Sequence, residues 1–247
     1  MQDFPPHLAQ QIEARFFQPV DSQAADALAY MERDGSDAGW TDDLRSAWGR
    51  FLISLLLRCP EDMEKMRSAW KQDFLTVPVE IEEQFRLEAA DGEFSTFRSF
   101  LENLPRRDLE KPFFELLISL MNSKLLGEFL INMHWVILDV AGDRNLYTSD
   151  RPIIKTDALD HPNGHIVLPI GPTRLFLAAT SADNISIAKR EPPRNLTRRV
   201  NEQVIQHAVR YSYTQRDDCR RFVENRMSTV YQTRLADRLG AARKLNL

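Results

Sequence analysis

Through its first 125 residues the chain repeats apolar side chains at three- and four-residue spacing, the period of an α-helix. The spacing predicts a helix over 21–33, opened by Asp21-Ser22 and closed at Asp34-Gly35. Thr41 caps a second helix. Asp42 and Asp43 sit in its first turn, where the helix dipole favours acid, and Leu44, Trp48, Phe51, Leu52, Leu55 and Leu56 make one broad apolar face. Cys59-Pro60 ends that helix. Pro60 then suits a first helical position, followed by Glu61 and Asp62. Further helices are expected over 60–74, 79–90, 94–103 and 110–125.

After Gly127 the pattern changes. Residues 129–140 are β-branched and aromatic and read as one buried strand. Gly142-Asp143 makes a turn, and short apolar segments at 145–148 and 152–156 flank Ser149-Asp150. Pro162-Asn163-Gly164 is a strong turn signal. Strands are expected at 166–170 and 174–180, separated by Gly171-Pro172, and another at 184–188. Helices return over 195–213 and from 217 onward. Strands joined by short turns favour antiparallel pairing. The fold class is therefore α+β: one domain over 1–247, with a helical part at about 1–126, a mainly antiparallel sheet at about 127–190 and C-terminal helices at about 191–247. No internal repeat is present.

Composition narrows the class. A chain of 247 residues can bury roughly 70% of its unfolded surface, enough for one large core or two modest ones. Apolar residues make up 43% and charged residues 28%, a globular balance. Two cysteines, Cys59 and Cys219, exclude a disulfide scaffold and a zinc ribbon. The N-terminal stretch lacks the basic start and apolar run of a signal peptide. No window reaches the ~18 apolar residues of a spanning helix. The expectation is a cytoplasmic protein without a membrane partner, in which the sequons at Asn184 and Asn195 carry no weight. Charge is uneven: residues 1–125 hold 14 Lys/Arg against 23 Asp/Glu, while 189–247 hold 14 against 6. Two readings stand: an anion-binding end, or two ends that attract each other within a chain or across a dimer.

No Gly-x-Gly-x-x-Gly, P-loop, Gly-x-Ser-x-Gly, His-Glu-x-x-His or Cys-x-x-Cys motif occurs, and no lysine stands two residues after an acid in the nuclease manner. No cofactor or metal is assigned. His161 and His165 flank Pro162 and Gly164, so they read as a solvated hairpin tip rather than ligands. His134, beside Trp135, reads as a core histidine, and Cys219 as a helix-face cysteine among arginines.

One polar interruption stands out, Leu146-Tyr147-Thr148-Ser149-Asp150-Arg151-Pro152-Ile153-Ile154. Ser and Asp fold back onto backbone N–H groups in such turns, and Pro152 holds Arg151 extended. The segment is either a tight polar turn or the frame for an oriented carboxylate, Asp150, beside Thr148 and Ser149. On the 195–213 helix, Leu196, Val200, Val204, Ala208 and Tyr211 share an arc that also takes in His207, with Asn201 at its edge. Two inward polar side chains need partners, and the turn can supply them. The cluster is either structural or a binding site.

The pattern Thr148-Ser149-Asp150-x-Pro152, Leu168-Pro169 and Asn201 with Ala208 and Tyr211-Ser212 resembles the family called domain of unknown function 4238, widespread in bacteria. Val20-Asp21 with Ala24-Ala25, and Arg58-Cys59-Pro60, fit it too. The resemblance covers roughly residues 12–227. Its members usually open on a His-x-x-Pro-x-x-Tyr-Leu segment, for which Pro5-Pro6-His7-Leu8 is no substitute. The expectation is a chain that begins downstream of it or a member that lacks it, and one incomplete or inactive if that histidine belongs to the site. The resemblance implies a fold and a site but no reaction.

Three functions remain. The first is a hydrolase-like or anion-binding site for a phosphodiester or similar anion, with Asp150 as base or metal ligand, His207 as acid or base, Ser149 and Asn201 orienting, Thr148 binding and Arg174 stabilising charge. The second is a module that meets nucleic acid or an acidic partner through the basic C-terminal segment. The third is a non-enzymatic homo-oligomer.

Overall fold

The computed structural model describes residues 13–34, 39–88, 94–140, 142, 144–156, 159–216, 219–234 and 237. The expected features at residues 5–8, Gly35, 89–90, Asp143, 217–218 and 238–247 lie outside these. A π-helical turn at Glu13–Phe17 leads into α1 (Gln18–Asp34). There follow α2 (Asp42–Leu57), α3 (Pro60–Leu75), α4 (Val79–Glu88), α5 (Phe97–Asn103), α6 (Arg106–Met121) and α7 (Lys124–Ile131). The caps are the expected ones where polar chemistry dictates them. Thr41 Oγ1 accepts from Leu44 N at 3.3 Å, and Pro60 opens α3.

Strands β1 (His134–Asp139), β3 (Ile154–Lys155), β4 (His165–Pro169) and β5 (Arg174–Ala179) form an antiparallel sheet in the order β1-β5-β4-β3. Strand β2 (Thr148–Ser149) stands apart and pairs with β6 (Ser212–Tyr213). Helix α8 (Ala182–Arg190) follows β5, then α9 (Pro193–His207) and the short α10 (Arg220–Glu224). The tight turn before β4 requires Gly164, because a Cβ there would run into the Leu159 carbonyl. The α+β architecture, with helices at both ends of a mainly antiparallel sheet, is as the pattern implied.

Alternation along β5 sorts two cores. Phe176 and Ala178 face the helical part and pack with Trp48, Leu52 and Phe113. Leu175 and Leu177 face the other way, with Val136, Val200 and Val204. Trp48 meets Phe176 edge-on at 5.6 Å. Arg45 ties α2 to the start of the sheet, donating to the Met133 carbonyl at 2.8 Å and stacking over Trp135.

The structure corrects five local readings. The 129–140 run is split: Ser123 caps α7, which takes Phe129 to Ile131, and β1 begins at His134. An apolar run shows hydrophobicity without showing period, so the two elements merged. His134 is exposed at the strand's end and is not a core histidine. Residues 184–188 are helical, because Ser181 caps α8 and Ile185 and Ala188 reach the core at i, i+3 spacing. Helix α9 stops at His207 and Tyr211 is 59% exposed. Beyond α10, Ser228 takes a left-handed backbone (φ 59°), which ends helical continuation within 225–234.

No helix among the described residues is long and apolar enough to cross a membrane.

Candidate functional site

The site begins with an acid on an apolar stripe. Asp62 stands in the first turn of α3, four and eight residues before the core-packed Met66 and Trp70. That spacing directs its carboxylate inward, and the residue is 1% exposed. A buried carboxylate needs cations and donors. Arg151 supplies a two-pronged contact, Nη1 to Oδ2 at 2.7 Å and Nη2 to Oδ1 at 3.1 Å. Arg234 adds Nη1 to Oδ1 at 2.6 Å. Beside them Glu61 pairs with Arg210 Nε at 2.5 Å and accepts the Cys59 thiol at 3.0 Å. Burial opposes ionisation of Glu61. The thiol, its own backbone, Arg210 and Arg151 outweigh that and hold the carboxyl below its ordinary range. Burial first, then the bond to Glu61, pushes the Cys59 thiol up to about 12.

The polar turn holds Arg151 in place. Ser149 is buried; its Oγ accepts from Arg151 N at 3.1 Å and donates to the Val204 carbonyl at 3.4 Å. Asp150 presents both oxygens to the backbone just beyond α9, accepting from Val209 N at 3.0 Å and Arg210 N at 2.6 Å. Its own N–H donates to the Tyr211 carbonyl at 3.0 Å. These bonds take amides that a longer α9 would have used, which is why the helix stops at His207.

Residues 228–234 run along the far side. Ser228 Oγ donates to the Ala208 carbonyl at 2.6 Å, and Gln232 Nε2 to the Lys155 carbonyl at 2.8 Å. Asp237 accepts from Arg234 N at 3.0 Å and pairs with Lys65 and Tyr231. Burial opposes its ionisation, but those partners bring its carboxyl down to about 2.

Between α3, the turn, the end of α9 and this segment lies a cavity of about 270 Å³, with Arg151, Lys155 and Arg234 against Asp62 on its wall. His207 lines it as well. Its Nδ1 is buried with no hydrogen-bond partner among the described residues, as is Arg151 Nε. Burial first, then the charge of Lys155, lowers the imidazole pKa below its ordinary value.

The structure thus brings Asp150, Ser149 and His207 to one junction, where Asp150 grips the backbone two and three residues past His207. Thr148 lines an adjoining pocket. Asn201 is buried and braces the loop before the turn, accepting from Tyr147 N at 2.8 Å and donating to the Asn145 carbonyl at 2.9 Å. Arg174 lies apart. Its guanidinium caps the end of α1 through the carbonyls of Met31 and Glu32. His161 and His165 bond to the Asn163 backbone at their turn. Among the described residues no group of three His, Cys, Asp or Glu is arranged to hold a metal. Local reasoning missed Asp62, Arg151, Lys155 and Arg234. The one available signal was Asp62 in step with Met66 and Trp70.

A family model described as protein of unknown function (DUF4238) matches residues 2–218. No curated protein and no solved structure matches the chain.

Asp62→Ala leaves two guanidinium groups without their carboxylate and is expected to destabilise the fold by roughly 3–5 kcal/mol, measured by urea unfolding. Asn201→Ala orphans one donor and one acceptor, with an expected loss of roughly 1–3 kcal/mol in the same assay. A raised thiol pKa means the fold holds the Cys59 proton more tightly than the unfolded chain does. Its contribution is complete below the thiol's ordinary pKa of 9.0 and is lost as pH rises toward about 12. At pH 9, iodoacetamide should therefore label Cys59 much more slowly in the native protein than in urea, as read by mass spectrometry. Equal rates would contradict the burial and its cause.

Proposed function

The chain belongs to the DUF4238 family of proteins of unknown function, and from that premise we propose that the cavity beneath the 148–150 turn binds a small anion of phosphate or carboxylate class. The observation that supports this is the convergence of guanidinium groups that outnumber their carboxylates. Arg151, Arg210 and Arg234 share two carboxylates, Asp62 and Glu61, and Arg151, Lys155, Arg234 and His207 line the cavity wall. Leu55, Ile153 and Val209 complete the lining, and apolar walls strengthen each charge interaction inside. Each guanidinium carries five N–H donors, more than its carboxylates take, and an anion in the cavity accepts from the rest while offsetting the surplus charge.

In the hydrolase-like form of this reading, His207 is the acid–base group, because its lowered pKa keeps it neutral near pH 7. Asp150 and Ser149 serve as positioning residues, since their oxygens already engage the backbone.

Titration with sulfate and inorganic phosphate at low ionic strength, followed by calorimetry, tests the reading. Lys155→Ala is expected to weaken both by about tenfold, the size of one charge-assisted contact. Sulfate keeps its charge between pH 7.5 and 5. Its affinity should rise in acid as His207 takes a proton below its ordinary pKa of 6.5, and that rise should vanish in His207→Gln. Absence of saturable binding, or equal affinity in wild type and Lys155→Ala, overturns the proposal.

A further inference from the structure

A second cluster of cations lies at the other end of α9 from the cavity beneath the turn. Arg194 and Arg198 stand one helical turn apart near the start of that helix, and Arg144 comes from the loop between β1 and β2. Roughly 20 Å of helix separates Arg194 from His207. The three arginines, with Gly142 and Thr197, line a cavity of about 350 Å³. Among the described residues no acid lines it, and none of the three guanidinium groups makes a hydrogen bond or an ion pair. The arginines around Asp62 and Glu61 differ, since each has its carboxylate. All three side chains belong to exposed residues, so a ligand reaches them directly from solvent.

Local stability does not favour this arrangement. Like charges at i, i+4 repel, and a cation in the first turn faces the positive end of the helix dipole. The first turn of α9 carries no acid to offset them. The frame beneath the cations is nevertheless firmly tied. Thr197 is buried and donates to the Val140 carbonyl at 3.3 Å, which holds α9 on the end of β1. Asn201, one turn further on, donates to the Asn145 carbonyl at 2.9 Å, and Leu146 N donates to the Pro172 carbonyl at 2.7 Å. The residues that follow Arg144 are thus fixed both to the helix that carries Arg194 and Arg198 and to the β4–β5 turn. Walls held in place before a ligand arrives lower the cost of binding it.

We propose that this cavity binds a chain of phosphate groups, as in a di- or triphosphate, gripped by Arg144, Arg194 and Arg198. A planar guanidinium presents paired N–H donors that match two oxygens of one phosphate. Three such forks from two segments suit an anion whose charge is spread over several phosphates rather than held on one. A space of this size holds on the order of ten waters, which leaves room for more than one phosphate group. The bound anion also removes the repulsion among the three cations. This site shares no lining residue with the cavity beneath the turn, and neither proposal needs the other.

The arginine Nε–H resonances of a ¹⁵N-labelled sample, assigned by single Arg→Lys substitutions, report this site separately from the other cavity. Inorganic phosphate, tripolyphosphate and ATP are titrated at fixed ionic strength without divalent cations. Tripolyphosphate is expected to shift the Arg144, Arg194 and Arg198 signals together, with an affinity about tenfold above that of phosphate, the size of one further charge-assisted contact. Arg198→Lys keeps the charge and loses the fork, and should weaken tripolyphosphate about tenfold. ATP binding as tightly as tripolyphosphate assigns the site to the tail of a nucleotide, and weaker ATP binding assigns it to free polyphosphate. Equal affinity in wild type and Arg198→Lys reduces the attraction to net charge and overturns the proposal. So does a tripolyphosphate titration that leaves the three resonances unmoved, or one in which phosphate binds as tightly.

Discussion

One buried carboxylate, Asp62, organises the rest. It receives guanidinium groups from Arg151, 89 residues away, and Arg234, 172 residues away. An isolated carboxylate at that depth would be strongly unfavourable, and so would either arginine left beside an empty wall. Together they fix three distant segments, the start of α3, the polar turn and the 228–234 stretch, at one point. Such buried pairs contribute little net stability against an apolar replacement, but removal of one member is severe. Three guanidinium groups, counting Arg210, on two carboxylates, Asp62 and Glu61, also leave a positive surplus. The contact that locks the tertiary structure is therefore the contact that charges the cavity.

The uneven charge along the chain finds an explanation in the same place. The acidic first half contributes Glu61 and Asp62, and the second half contributes Arg151, Arg210 and Arg234 to meet them. Lys65 to Asp237 repeats the exchange in the opposite sense. Arg220 and Arg226 pair with Glu224 and Glu202. Attraction between the ends operates within this chain. It is strongest where water is thinnest, since exposed pairs such as Arg220–Glu224 contribute little and the Asp62 cluster sits in a far lower dielectric. Glu61 shows the consequence. Burial alone would raise its pKa, yet its partners draw it below the ordinary range, so its stabilisation is present above about pH 4.5 and fades as pH falls below that.

Much of this was legible along the chain, and what was not has a local reason. The Thr41 cap, Pro60 at a helix start and the Gly164 turn follow from nearest neighbours, so they could be read directly. The 184–188 segment could not. Its apolar residues suit a strand, and only Ser181 and the placement of Ile185 and Ala188 decide for a helix. Asp150 was expected to fold back on nearby amides. It does bind amides, but they lie 59 and 60 residues on, and no spacing rule encodes that distance. Arg151 was noted only for its backbone, because a guanidinium's partner is a property of topology. Asp62 carried a usable signal, an acid in phase with two core residues, that went unread.

The turn sequence makes sense once each side chain is followed outward. Thr148 lines an adjoining pocket, Ser149 holds Val204, Asp150 grips the backbone after His207, Arg151 crosses to Asp62, and Pro152 lines both pockets. Five consecutive residues thus couple one helix end, one buried acid and the wall of the proposed anion site. Arg234 adds a thermodynamic link. It belongs to the segment that closes the cavity, and it supplies part of the surplus charge. Under the proposed anion reading, detaching that segment would remove a cation from the anion's surroundings and weaken its binding. By reciprocity, a bound anion holds the segment down by the same free energy. Closure and occupancy are then one equilibrium, and its strength is set by how much of Arg234's charge Asp62 leaves uncompensated.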